Sequence, residues 1–147
     1  MAALVESTGT GKTGMSRSGY TDDCDDILQY GRWQGQLKSA IRGKRGQAFL
    51  RELADAMDAM PEKVLIANEL INAEGDCCTI GVVCKSRGID VSAIDHEEPE
   101  QVGGAVGIAR QLAAEIEYEN DDEWLRDETP EHRWKRMRKW VERHLIN

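Results

Sequence analysis

With 147 residues, 40% of them apolar and 31% charged, the chain is long enough to bury a core without disulfides or metals and has the make-up of a globular protein. Its longest apolar runs, such as Val64-Leu65-Ile66-Ala67, fall far short of the ~20 residues a spanning helix needs. A net charge of −8 weighs against a general affinity for phosphate backbones.

Taken in chain order, residues 1–14 are small, polar and glycine-rich, and they are expected to form a disordered arm ahead of one globular domain over 15–147. They hold no basic flank followed by an apolar stretch, so no signal peptide is expected and the protein is read as cytoplasmic, within a host cell. A first helix is expected over 22–42, where Ile27, Tyr30, Trp33, Leu37 and Ile41 recur at helical spacing. Gly43-Lys44-Arg45-Gly46 breaks it. A second helix runs from about Gln47 to Met60 on the stripe Phe49, Leu50, Leu53, Met57, and Pro61 closes it.

The β-branched run from Val64 to Ile71, followed by Ala73-Glu74-Gly75-Asp76, reads as the first arm of a short hairpin, with Cys77–Thr79 returning. Ile80 to Ser86 reads as a short buried helix ended by Gly88 in the left-handed position. Pro99 opens a helix to Val106, and Gly107 interrupts it. Ile108 to Glu119 forms another helix, with Leu112 and Ile116 inward. Thr129-Pro130-Glu131 starts the last, whose stripe is Trp134, Met137, Val141 and Leu145. The expected fold is therefore α+β but predominantly α: five or six helices around a small two-stranded hairpin. Its core should hold Phe49, Leu53, Met57, Ile80, Leu112, Ile116 and Trp134.

Charge is unevenly placed. Residues 90–128 carry 13 acidic and 2 basic side chains, whereas 129–147 carry 6 basic and 2 acidic. The acidic block, with Glu115, Glu117, Glu119, Asp121, Asp122 and Glu123, is expected to present a face that repels polyanions and attracts basic surfaces; the plainer reading is a solvated face. The basic last helix fits RNA, an anionic membrane or an acidic partner. Pairing with the acidic block is preferred, because it explains both charge segments together. Around the first interhelical turn, Arg42, Lys44 and Arg45 form the best anion site, beside glycines that expose backbone N–H groups.

Three motif look-alikes fall short. Gly9-Thr10-Gly11-Lys12-Thr13 resembles the end of a phosphate-binding loop, but Glu6 stands where its first glycine belongs. The outline of a helix-turn-helix over 102–120 would present glutamates to DNA. The four cysteines include an adjacent pair and no CxxC, and the three histidines are dispersed, so buried free thiols are expected and no metal site. No nucleophile–base pair or carboxylate in an apolar setting stands out, so no catalytic residue and no cofactor is assigned.

The segment Cys77-Cys78-Thr79-Ile80-Gly81-Val82-Val83-Cys84, together with Asn120-Asp121 at a helix end, resembles a family of small accessory proteins of tailed phages and prophages. The tracts 15–20 and 39–60 share the likeness, which spans roughly 15–145. The resemblance implies a phage origin and carries no catalytic residues. With it, the expected function is non-enzymatic protein binding: inhibition, through the acidic surface, of a host or defence protein (for example of a CRISPR system) that has a basic surface. The alternative is a nucleic-acid-associated protein using the 42–46 turn and the last helix. No membrane partner is expected.

Overall fold

The computed structural model describes residues 27–122, 125 and 127–146. The expected arm at 1–14, the proposed helix start at 22–26 and Glu123 lie outside the described residues. Six helices follow one another: α1 (Ile27–Arg42), α2 (Lys44–Asp58), α3 (Thr79–Arg87), α4 (Pro99–Val106), α5 (Arg110–Asn120) and α6 (Pro130–His144).

A single residue, Gly43, joins α1 to α2, and the corner is tight because the chain allows it to be. A side-chain carbon added at Gly46 would lie 1.8 Å from the Ala40 carbonyl oxygen, so only glycine lets α2 leave so close to the end of α1. From there α2 buries Phe49, Leu50, Leu53 and Met57 at the spacing of one helical face.

The inner helix is α3: Thr79 to Cys84 are all buried. That is why this segment shows little amphipathic pattern; it is covered on most sides. The Cys78 Sγ caps its first turn by accepting from the Gly81 N–H at 3.4 Å. Gly88, at φ 73°, ends it as expected. Gly81 is the contact point with the preceding loop, for a methyl group there would meet the Leu70 carbonyl oxygen at 1.9 Å. The core gathers α2, α3, α5 and α6 side chains, with Leu50, Leu53, Met57, Leu65, Ile80, Leu112, Ile116, Met137 and Val141 fully buried. Each such side chain contributes roughly 1.5–3 kcal/mol on removal from water.

The expected hairpin does not form. Among the described residues there is no strand, only one isolated antiparallel bridge between Ile71 and Cys77. Two local features defeat the ladder. Asn68 adopts φ 71° and bends the outgoing arm, and the returning arm ends at once because Cys78 already caps α3. Between them Asn72 closes a turn, its Oδ1 accepting from the N–H groups of Glu74 (3.0 Å) and Asp76 (2.9 Å). The molecule is helical; the predominantly α part of the expectation holds.

The last helix starts where Thr129-Pro130 places it. Thr129 Oγ1 accepts from the His132 N–H at 3.1 Å, and Thr129→Ala is expected to cost about 1 kcal/mol in urea unfolding. Its buried side is Arg133, Met137, Trp140 and Val141. Trp134 packs against the core only partly buried, so the inward face is rotated from the expected stripe. No helix among the described residues is long and apolar enough to cross a membrane.

Candidate functional site

The start of α3 and the Asn120-Asp121 pair at the end of α5 meet in space. Asn120, 1% exposed at the end of α5, accepts at Oδ1 from the Thr79 backbone N–H (3.1 Å) and hydroxyl (2.7 Å). Its Nδ2 donates to the Ile66 carbonyl (2.9 Å) and to Asp121 Oδ1 (2.7 Å). Asp121 Oδ1 also accepts the N–H of the bent Asn68 at 3.1 Å. The knot therefore ties the 65–71 loop, the start of α3 and the end of α5 together.

Beside this knot is a cavity of about 10 Å³ lined by Glu69, Cys78, His96, Glu117 and Asp121 among others, room for about one water. Burial, and then the charge of Asp121, pushes the Glu117 carboxyl up to about 8. Burial raises the Cys78 thiol far above its ordinary range and the Cys84 thiol to about 11. Cys77, Cys78 and Cys84 are free and buried, while Cys24 lies outside the described residues. Thiols held protonated in this way make poor nucleophiles. Among the described residues no group of three or more His, Cys, Asp or Glu is arranged to hold a metal ion.

The acidic face expected on α5 is not an open surface. Glu115, Glu119 and Asp122 are buried, Glu117 and Asp121 are half-buried, because α5 packs against α1, α3, α4 and α6. Arginines of α6 reach this end of α5: Arg133 Nε donates to the Asn120 carbonyl (3.0 Å) and Arg136 to that of Glu119 (2.7 Å). Cations at a helix C-terminus satisfy its last carbonyls and its negative dipole end. The Glu128 carboxylate, nearly fully buried, sits 2.7 Å from Arg136 Nε, 2.5 Å from His132 Nδ1 and 3.4 Å from Arg133 Nε. Burial alone would raise Glu128, but the hydrogen bonds from Arg136 and His132 hold it below the usual carboxylate range. Arg138 instead pairs across to α2, at 2.9 and 3.1 Å from the two Asp58 oxygens. Among the described residues of 90–128, the exposed acids are Asp90, Asp95, Glu97, Glu98, Glu100 and Asp127.

A groove of about 430 Å³ opens between the end of α2 and the face of α3. Ala56, Ala59, Met60, Pro61 and Val64 form one wall, and Cys77, Val82 and the Lys85 stem the other. Small side chains at Ala56 and Ala59, one turn apart, leave the space. Lys85 Nζ is held at the rim by the Gly75 carbonyl at 2.9 Å. Glu62 and Asp76 add two exposed carboxylates to the lining. The sequence reasoning did not find this groove; its only trace was the pair of alanines before Pro61.

The basic turn is placed as expected for a surface. Arg42, Lys44 and Arg45 are exposed, and the N-cap residue Gly43 leaves α2 without a side-chain cap. The end of α6 joins them through Gln47, whose Nε2 donates to the carbonyls of Ile41 (2.8 Å) and His144 (2.9 Å) while its Oε1 accepts from the Ile146 N–H (2.9 Å). No protein-family model matches the chain, and no curated protein and no solved structure is similar to it at a meaningful level.

Proposed function

We propose that the chain is a binding protein that holds a partner protein in the groove between α2 and α3, the bound segment being apolar with flanking basic residues. The groove supports this reading. Its volume of about 430 Å³ lies in the range of specific binding sites, with an apolar floor and a few polar groups at the edge. Two carboxylates against one ammonium at the lining and a net charge of −8 favour a basic partner, chiefly in encounter rate and choice of partner. The alternative of catalysis has less to work with. The ionisable cluster around Glu117 borders a cavity with room for about one water, and the buried thiols are protonated. The likeness to phage accessory proteins fits this role: such a protein inhibits by occupying a basic site on a host or defence protein.

Ala59→Arg tests the reading. Ala59 is exposed, lines the groove and has ordinary right-handed backbone angles, so the larger side chain fills the space without straining the chain. In fluorescence polarisation, short peptides with a Leu/Phe centre and Lys/Arg flanks should bind the unaltered protein, and Ala59→Arg should weaken them at least tenfold, about 1.4 kcal/mol. Equal binding of Glu-flanked peptides, or equal binding by the variant, would overturn it.

A further inference from the structure

We propose that the corner where α1 and α6 end and α2 begins is a second binding surface, and that it takes the phosphate backbone of nucleic acid. This proposal is independent of the groove, which lies at the other end of α2. Six cations contribute: Lys38 and Arg42 one turn apart on α1, Lys44 and Arg45 at the start of α2, and Lys139 and Arg143 one turn apart on α6. All six are exposed, and among the described residues none is in a salt bridge. The other arginines of α6 are engaged, Arg133 and Arg136 with Glu128 and Arg138 with Asp58.

Two separate parts of the chain are needed to make the surface, and the structure shows how they are held together. Gln47 bonds the last carbonyl of α6 and the N–H of Ile146 on one side and the Ile41 carbonyl on the other. Gly46 brings α1 and α2 into backbone contact. The cations therefore stand on three helix ends fixed to one another, and the one carboxylate within 38–45 and 139–143, the exposed Glu142, is paired with Arg138 at 2.9 Å. At physiological ionic strength charges beyond ~8 Å are largely screened, so the patch acts on its own and not with the molecule's net charge.

The chemistry of the patch selects between its two candidate partners. A protein partner needs apolar area at the centre of the interface, and among the described residues the one exposed large apolar side chain at this corner is Ile146. Phosphates need only cations, with affinity coming from counterion release.

The test uses the full-length protein and a fluorescein-labelled duplex of about 20 base pairs. Six phosphate contacts give a slope of log K on log salt of about −5, a loss near 10³ in affinity from 50 to 200 mM salt. Replacing Arg42, Lys44 and Arg45 by Gln should reduce that slope by about half, and replacing Lys139 and Arg143 by Gln should reduce it by about a third. Circular dichroism melts of both variants should match the parent, since these side chains are exposed and among the described residues none is in a salt bridge. No binding at 50 mM salt overturns the proposal, as does a parent-like slope in either variant. Polyglutamate competing as well as DNA would assign the surface to an acidic protein and overturn it too.

Discussion

Asn120→Ala is expected to destabilise the protein by about 3–4 kcal/mol, one of the largest losses any single side chain here should produce. The substitution removes four hydrogen bonds at once. It leaves the Thr79 N–H, the Thr79 hydroxyl and the Ile66 carbonyl facing a pocket from which water is nearly excluded. A buried polar group without a partner costs about 1–3 kcal/mol. The neighbouring space admits about one water, which can serve one or two of the three orphans, so the total falls short of their sum. Urea unfolding would read the loss as a lower midpoint at an unchanged slope. Asn120→Asp refines the test. It keeps the acceptor for Thr79 but loses the donor to Ile66 and places a charge beside Asp121 and Glu117. At neutral pH it should cost at least as much as alanine. A loss below about 1 kcal/mol for either variant would show that the knot is not what joins the loop, α3 and α5.

This knot also marks where sequence reasoning ran out. Asn120-Asp121 was visible only as a helix end and a family resemblance, since no local pattern says that a residue will bond to position 79. Where information was local, it sufficed: Thr129-Pro130, Gly88 and the stripe of α2 place their helices within a few residues. The hairpin failed because a β-branched run is only a tendency, and its return arm was needed as the cap of α3. The acidic face failed for a geometric reason. Glu115, Glu117 and Glu119 stand at alternate positions, and on a helix such residues turn through about 200°, too wide for one face. With Ile116 and Leu112 fully buried and four helices packed around α5, some of those carboxylates had to go inside. From α6, Arg133 and Arg136 reach the last carbonyls of α5 and the Glu128 carboxylate, so its first arginines serve the fold while Lys139 and Arg143 stay outside. Composition alone could not divide them.

Of the carboxylates taken inside, Glu117 should control how stability responds to pH. Its folded-state value, raised to about 8 by burial and then by Asp121, lies above the ordinary 4.5 of the unfolded chain. The folded protein thus holds a proton that the unfolded chain releases. The stabilisation is fully present below about pH 4.5, declines as pH rises through 8, and is then gone. Each tenfold difference in proton affinity is worth ~1.4 kcal/mol, and partial solvent access reduces the effect, so the decline should be on the order of 2–4 kcal/mol. The carboxylates with lowered values, Glu52, Asp58 and Glu128, act in the opposite sense. Their stabilisation is present above the ordinary range and lost in acid, so their window lies below that of Glu117. Urea midpoints measured from pH 5 to 9 should therefore fall with pH and level off above about 8.5. Glu117→Gln keeps the shape and removes the proton exchange, so its midpoint should stay nearly flat over that range and exceed that of the parent at pH 9. A parent curve that rises between pH 6 and 8, or a glutamine variant that keeps the full decline, would place the titrating group elsewhere than in the cavity beside Asn120.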